Sequence, residues 1–476
     1  MTDAPPRGLR ARALAQVDPA SLVAFRVIFG LLGLVGAVRF LANGWVEDLF
    51  ATPTFFFRYP GFEWVPVPSV EGIYALFGVM IAGAVGVILG WRHRLSAAAY
   101  LLAFTWVELI DVTNYLNHYY LVTLLGLLVL ALPLGRAGSL DARRDPSTAV
   151  TSFPAWMVWL VRLQLGVVYT YAAIAKAQPD WLVHAQPLDI WLSARAHTPV
   201  IGALFGEPGV ALAMSWAGFL HDLLVPWLLL WRRTRLVAFA ALCVFHLGTH
   251  LLFDIGMFPV IMTASVTIFF SPSWPRRPLA RLMSRFVPRS PERPWEPPAR
   301  PSRRRLVAGL VALWAAWQVL VPLRTFVYGG DVLWHEQGMR WSWRVMVREK
   351  NGAIGYRVRV DGRADELHVP PSRYLTGHQE REFSGQPDLI LQLAHHIADD
   401  LRARGHTGVE VRVDALASLN GRRARRLIDP TVDLARVEDG LATASWILPA
   451  PEGPPPALVN PRLRVPAPRT AAKELP

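Results

Sequence analysis

The stretch that decides the fold is PAWMVWLVRLQLGVVYTYAAIAK, residues 154–176, which is long and apolar enough to cross a bilayer as one helix. It ends at Lys176, and the polar sequence AQPDW follows at once. Of the 49 lysine and arginine residues, only Lys176, Lys350 and Lys473 are lysine. Arginine keeps its proton, whereas a lysine amine in an apolar pocket can become neutral and act as a base. We therefore interpret Lys176 as a reactive group, with a lysine that snorkels to the membrane edge as the alternative.

The rest of the chain has the composition of a polytopic membrane protein. Its 476 residues are 53% hydrophobic with a mean hydropathy of +0.28, and several apolar runs reach about 18 residues. The single cysteine, Cys243, excludes an intrachain disulfide. We predict nine spans, at about 20–42, 72–91, 95–112, 118–134, 154–176, 208–231, 236–253, 257–272 and 305–323.

The arginines lie in alternate loops between these spans, as expected when cytoplasmic loops hold the excess of positive charge. One set of loops holds Arg92, Arg94, Arg136, Arg143, Arg144, Arg232, Arg233, Arg235 and the arginines of 276–305, whereas the opposite set holds Arg58 and Arg195. This pattern predicts a cell-membrane protein with a cytoplasmic segment 1–19, a membrane domain 20–323 and a Pro/Arg-rich inside linker 273–304. The net charge of +13 does not indicate nucleic acid, because the basic residues alternate with spans and form no stripe.

After residue 324 the pattern changes to a small α+β domain. GYRVRV, ELHV and GVEVRVDAL alternate like strands, and LILQLAHHIADDLRARG has helical periodicity. We therefore predict an extracytoplasmic domain at 324–448, followed by a disordered Pro-rich tail at 449–476. The fold class is thus an α-helical polytopic membrane protein with a small C-terminal α+β extramembrane domain.

Polar residues inside the spans are candidate functional groups, because polar side chains are expensive in a membrane. His246 and His250 share a helix face at metal-ligand spacing, but no companion ligand motif lies nearby, so we predict no metal site. Asp222 and Gln164 are interpreted as hydrogen-bond partners between helices. For His118 alone a structural role is favoured. The candidates are Asp111, Asn114, Asn117, His118, Gln164, Tyr169, Lys176, Asp222, His246 and His250.

Several of these residues belong to an ordered series of motifs. The segment RLQLGVVYTYAAIAKAQPDW, residues 162–181, resembles the lysine-bearing helix of vitamin K-dependent gamma-carboxylases without a gap. The resemblance extends from about residue 20 to 447 and implies an HTTM-type membrane domain in a short form of the family. The further matching motifs are FRVIFG at 25–30, Asp111 to Asn117-His118, Phe245-His246, IGMF at 255–258, SPSWP at 271–275, Trp341-Ser342-Trp343, and Ser418 to Asp433.

The resemblance implies a reaction. In that family a lysine deprotonates vitamin K hydroquinone, O2 adds to the anion, and collapse toward the epoxide produces a base that removes a γ-hydrogen from glutamate, after which CO2 is captured. Lys176 matches the base, and Asn117 and His118 match a pair at the quinone site. His246, Tyr169 and Trp343 are the expected cofactor-binding residues. A water-excluding site inside apolar helices suits such a base.

Two alternatives remain open at this stage. The animal enzymes are longer and have a membrane-to-lumen disulfide that one cysteine cannot form, so the quinone half of the reaction has more support than carboxylation of a glutamyl peptide. One alternative is therefore an epoxidase that does not carboxylate protein. The other is a non-catalytic quinone or lipid binder or transporter, which predicts internal repeats or broken helices. The expected partners are the lipid bilayer, a quinone and a glutamyl peptide or protein.

Overall fold

In a computed structural model of the protein, residues 8–276 and 293–456 are described. A helix lies at each of the nine predicted spans, and six of these helices are long and apolar enough to cross a bilayer: α1, α2, α5, α6, α7 and α9. The other three have 16, 15 and 9 residues. They are shorter than the minimum of about 17 residues that a crossing needs, so the number nine stays a prediction. The bounds are α1 Ala20–Ala42, α2 Val70–Leu89, α3 His93–Glu108, α4 Asn117–Ala131, α5 Ala155–Lys176, α6 Pro208–Leu230, α7 Arg235–Leu252, α8 Phe258–Val266 and α9 Pro301–Leu323.

Short elements connect these helices. An antiparallel pair joins Gln16–Val17 to Phe153–Pro154 immediately before α5. The short helices are Leu9–Leu14, Leu140–Arg144, Pro179–Leu182, Leu188–Ala194 and Val332–His335.

Glycines allow α1, α2 and α3 to pack closely. A β-carbon on Gly83 of α2 would lie 2.8 Å from the backbone nitrogen of Tyr100 in α3, and one on Gly30 of α1 would lie 2.7 Å from a side-chain carbon of Ile88. Small residues at such positions let helix backbones approach within van der Waals contact, which drives helix association in lipid. These contacts hold the three helices as one packed unit.

A buried arginine ties loops together at one end of the bundle. The Arg26 guanidinium of α1 donates hydrogen bonds to the carbonyl oxygens of Leu134, Ala137 and Gly138, at 2.8, 3.0 and 2.6 Å. The backbone N–H groups of Arg92 and His93 donate to Asp141 at this end, both at 2.7 Å. Two of the arginine-bearing loops that were predicted to share a side therefore contact each other. Which side of the membrane this is stays a prediction.

A four-stranded antiparallel sheet forms at the C-terminal part of the described chain, in the order β2-β1-β3-β4. Its strands are β1 Lys350–Arg359, β2 Leu367–Val369, β3 Glu410–Leu419 and β4 Arg425–Arg426, with Tyr356 opposite Val413. The helices α10 Gly377–Phe383 and α11 Pro387–Ala403 precede β3. The predicted strands and helix are confirmed. We call residues 350–428 the sheet region.

Alternation explains why β3 is a strand. Val411, Val413 and Ala415 are buried, whereas Arg412 and Asp414 between them face away from the core. The buried side packs against α11, whose residues Leu389, Ile390, Leu393 and Ile397 are also buried.

The sheet region covers the end of the bundle at which Lys176 lies. Gln379 of α10 donates hydrogen bonds to Asp111 and to the Phe55 carbonyl, both at 2.8 Å. The side chain of Phe57, which precedes α2, packs into the same hydrophobic cluster as the sheet. The domain boundaries at 324 and 448 stay predictions. Parts of three predicted segments lie outside the described residues: 1–7 of the N-terminal segment, 277–292 of the linker and 457–476 of the tail.

Candidate active site

Lys176 is the last residue of α5, and its amine points into the protein. The residue is 6% exposed. Its Nζ donates to Asp222 Oδ2 at 2.9 Å and lies 3.5 Å from the carbonyl oxygens of Ala172 and Val345. The ring of Trp181 has its centroid 5.3 Å from Nζ. The amine is therefore paired with a buried carboxylate and does not extend toward solvent.

Asp222 of α6 has a second basic partner. Its Oδ1 accepts a hydrogen bond from His221 Nδ1 at 3.0 Å, and the side chains of His221 and Asp222 are 9% and 7% exposed. The ring of His221 stacks on Phe245 of α7 with centroids 3.9 Å apart. Asp222 links α6 to α5, as predicted for a hydrogen-bond partner between helices. Its partner on α5 is Lys176, the candidate base.

Sequence reasoning missed His221. The signal was available, since His221-Asp222 is a polar dipeptide inside the apolar run of α6. Adjacent residues on a helix do not normally face each other, so the dipeptide did not predict that one carboxylate would bind both Lys176 and His221.

Tyr169 and His246 form a second polar contact beside this one. The Tyr169 hydroxyl lies 3.0 Å from His246 Nε2, and the rings of His221 and His246 are 6.1 Å apart. His246 Nδ1 and His221 Nε2 are both buried without a hydrogen-bond partner in the described part of the chain. Buried polar nitrogens are normally paired, so the unpaired nitrogen of His246, which lines the cavity described next, indicates a place for a polar ligand group.

Tyr169, Lys176, Asp222 and His246 line one cavity, which we call the Lys176 cavity. Its walls are mainly apolar and aromatic, and Val345 and Met346, a few residues before β1, belong to its lining. A mainly apolar cavity with a few convergent polar groups is typical of a site for a hydrophobic small molecule. The lining residues used below are Tyr169, Lys176, Trp181, Asp222, Phe245, His246 and Phe258.

His118 lies in a different cavity, which is lined by residues of α1 to α4 and includes Arg39 and Glu108. The ring of Phe258 stands between the two sites, with its centroid 6.2 Å from that of His118 and 6.1 Å from that of His246. The structure therefore brings Lys176, Tyr169 and His246 together and leaves His118 on the far side of Phe258.

Two other predicted site residues also lie away from the lining of the Lys176 cavity. Asn117 accepts a hydrogen bond from the Tyr115 hydroxyl at 3.1 Å. Trp343 is fully buried against Tyr120, with ring centroids 5.0 Å apart.

The remaining sequence candidates have other surroundings. Asp111 binds α10 as described, and Asn114 Oδ1 lies 3.1 Å from His378 Nε2 of the same helix. Gln164 is fully buried, and neither atom of its amide has a partner within the described residues. His250 is exposed. Among residues 8–276 and 293–456, no cluster of three metal-ligating side chains is present.

Asp180, four residues after Lys176, attaches the sheet region beside the cavity. It accepts hydrogen bonds from Arg422 at 2.6 and 2.7 Å and from Asn420 at 2.8 Å. Burial acts to raise the pKa of Asp180, but the hydrogen bonds from Arg422 and Asn420 and the guanidinium charge outweigh it and hold the pKa below its usual value.

The helices define a multi-pass membrane protein, in which a buried lysine-carboxylate pair lines a mainly apolar cavity. Residues 14–274 match the family model of the HTTM domain, and residues 303–453 match that of the vitamin K-dependent gamma-carboxylase lumenal domain. The chain belongs to the vitamin K-dependent gamma-carboxylase family. No solved structure matches the chain.

Proposed function

We propose that the protein is a gamma-glutamyl carboxylase-like enzyme, in which oxidation of vitamin K hydroquinone by O2 to the epoxide is coupled to carboxylation of glutamate with CO2. The observation that carries this proposal is the placement of Lys176, buried on a mainly apolar cavity within a chain of this family. The hydroquinone and the two gases are substrates, and no metal is proposed.

The lining of the cavity suits a prenylated hydroquinone. Its aromatic walls, including Phe245 and Trp181, suit a fused ring, and its apolar surface suits an isoprenoid tail. The unpaired Nδ1 of His246, which lines this cavity, is available for a polar hydroxyl group of the ring. A hydroxyl group of the bound ring would supply the hydrogen-bond partner that the protein itself does not.

In this proposal Lys176 takes the proton from a hydroquinone hydroxyl. A base must lie within hydrogen-bond reach of the proton it removes, and Nζ lines the cavity in which the ring would bind. Tyr169 of α5 and His246 of α7 lie within hydrogen-bond distance of each other and orient the ring. Exclusion of water preserves the strongly basic species that carboxylation requires.

Asn117 and His118 are proposed as orienting groups on the strength of the family resemblance. For His118 to contact the same substrate as Lys176, the ring of Phe258 has to turn out of the space between His118 and His246. Trp343 supports the neighbouring Tyr120 and is proposed as a packing residue of the site.

The proposed orientation places the N-terminus in the cytoplasm and the sheet region outside it. A glutamyl substrate would then approach from the side of the sheet region, where Val345 and Met346 cover the Lys176 cavity. This direction separates the water-soluble substrate from the lipid-soluble one.

Purified protein tests the proposal directly. Reduced vitamin K, O2, labelled bicarbonate and a glutamyl peptide are supplied together, and epoxide and acid-stable label are both measured. Epoxide with label in the peptide supports the full proposal, epoxide without label supports an epoxidase that does not carboxylate protein, and bound quinone without either product supports a binder. Lys176→Ala is the test variant and Lys473→Ala its matched control.

A further inference from the structure

We propose that a pocket at the end of the bundle opposite the sheet region binds the headgroup of an anionic phospholipid. The loop between α2 and α3 and the loop after α4 form this pocket, and its lining includes Arg92, Arg94 and Arg136. We call it the arginine pocket. It shares no lining residue with the Lys176 cavity, and the proposal does not depend on the proposed reaction.

Helix α3 connects the arginine pocket to the other end of the bundle. The pocket includes its first residues, from His93 to Leu95. Just after its last residue, Asp111 accepts a hydrogen bond from Gln379 of the sheet region. The 16 residues of α3 span about 24 Å at about 1.5 Å per residue. The arginine pocket is therefore remote from Lys176, which lies at the end that the sheet region covers.

The three arginines of the pocket have no anionic partner in the protein. All three are exposed, and none forms an ion pair or a side-chain hydrogen bond within the described residues. The guanidinium of Arg92 lies over the ring of Trp91, 5.5 Å from its centroid. A guanidinium presents its N–H groups in a fork that matches the oxygens of a phosphate. Three such groups in one concave place favour a ligand with a phosphate group.

The one acidic side chain of the described lining, Asp141, does not neutralise these arginines. It accepts hydrogen bonds from the backbone N–H groups of Arg92 and His93, both at 2.7 Å. Its charge also interacts with that of the buried Arg26. Because Asp141 occupies these N–H groups at the start of α3, we assign the binding of phosphate to the arginine side chains and not to the helix terminus. The lining keeps an excess of positive charge.

An apolar surface begins inside the pocket and continues along α3. Leu95 belongs to the lining and is 62% exposed, and Leu102, seven positions further on the same helix face, is 69% exposed. Trp91, 40% exposed beside the pocket, is a residue type that prefers the level of the lipid headgroups. A phospholipid with its phosphate among the arginines would place an acyl chain against Leu95 and Leu102. A free phosphate would leave this surface without a partner, so we assign the pocket to a lipid.

The charge of the pocket favours an anionic headgroup over a zwitterionic one. Phosphatidylcholine brings its own cation to the arginines, whereas phosphatidylglycerol brings only the negative phosphate. Each arginine near an anionic headgroup is expected to contribute about fivefold in affinity. Phosphatidylglycerol is therefore the probe and phosphatidylcholine its comparison.

Native mass spectrometry of the purified full chain in detergent tests the proposal. Dissociation constants are measured for phosphatidylglycerol, for phosphatidylcholine and for glycerophosphoglycerol, which is the headgroup without acyl chains. We expect the wild type to bind phosphatidylglycerol at least about tenfold more tightly than either of the others. Equal affinity for the two lipids overturns the proposal. Equal affinity for the headgroup without acyl chains shows a site for a soluble anion and overturns the assignment to a lipid.

Two double variants with the same change in charge separate the pocket from the general charge of this end. Arg94→Gln/Arg136→Gln changes the lining, whereas Arg143→Gln/Arg144→Gln changes two exposed residues of the same end outside it. We expect the first to weaken binding of phosphatidylglycerol by about 25-fold and the second by less than about twofold. Equal losses in the two double variants refute the pocket.

The single variants Arg94→Gln and Arg136→Gln decide the matter if the double variant melts at a lower temperature than the wild type. Each should weaken binding of phosphatidylglycerol by about fivefold while it melts like the wild type. Wild-type affinity in both folded single variants contradicts the proposal.

Discussion

The attachment of the sheet region beside Lys176 can be tested by changing Asp180 and Arg422. The two side chains form a bidentate ion pair, with distances of 2.6 and 2.7 Å and 13% exposure on each side. Asn420 adds a third hydrogen bond to the same carboxylate at 2.8 Å. We expect Asp180→Asn to destabilise the packing of the sheet region on the bundle.

The magnitude follows from the burial and the geometry of the pair. Removing one partner of a buried ion pair costs about 3–5 kcal/mol, and an exposed pair contributes about 0–1 kcal/mol. Because both side chains are largely buried and the contact is bidentate, we expect Asp180→Asn to cost about 3 kcal/mol. In a double-mutant cycle with Arg422→Gln, we expect a coupling energy of about 2 kcal/mol.

The assay is equilibrium unfolding in mixed micelles, followed by tryptophan fluorescence. Trp334 is a suitable reporter, since it is 1% exposed and its indole N–H donates to the Leu448 carbonyl at 2.8 Å. Asp399→Asn is the matched control, because Asp399 pairs with Arg402 at side-chain exposures of 73% and 47%. That control should change the unfolding free energy by less than about 0.5 kcal/mol. A coupling energy below about 0.5 kcal/mol between Asp180 and Arg422 would refute the reasoning.

Three further predictions concern stability. The ion pair of Asp180 stabilises the fold above the ordinary carboxyl pKa of about 3.9, and this effect is lost as the pH falls through the lowered pKa of Asp180. The melting temperature of the wild type should therefore exceed that of Asp180→Asn at pH 6 and approach it near pH 3. Arg26→Lys should lower the unfolding free energy by about 2–3 kcal/mol, because an ammonium cannot reach all three carbonyl oxygens that the guanidinium binds. An unchanged denaturation midpoint would contradict this prediction. Gln164→Leu should raise the melting temperature, because an apolar side chain replaces a fully buried amide that has no partner within the described residues. A fall of several degrees would show that the amide has a hydrogen-bond partner in the folded protein.

The helices and strands could be predicted from sequence because each depends on a local pattern. Apolar runs located a helix at each of the nine predicted spans, and alternation located β1, β2 and β3. The number of crossings could not be settled in the same way. For example, α8 is regular only over Phe258–Val266, since a 3₁₀ turn at Thr267–Phe269 follows it.

The candidate site was harder to predict, because it depends on contacts between distant segments. The bias toward arginine identified Lys176 as unusual, but its pairing with Asp222, 46 positions away, depends on how α5 packs against α6. Motif order grouped His118 with Lys176, whereas the ring of Phe258 separates them. Val345 reaches Lys176 only because the chain returns over the bundle after α9.

The most direct test of the central claim is epoxide formation by a folded Lys176→Ala variant. Purified wild type and variant are given reduced vitamin K and O2, and epoxide is quantified after equal melting temperatures have been shown. We expect the variant to lose epoxide formation by at least about a hundredfold, as is typical when a general base is removed. A folded Lys176→Ala protein that forms epoxide at the wild-type rate would contradict the assignment of Lys176 as the base.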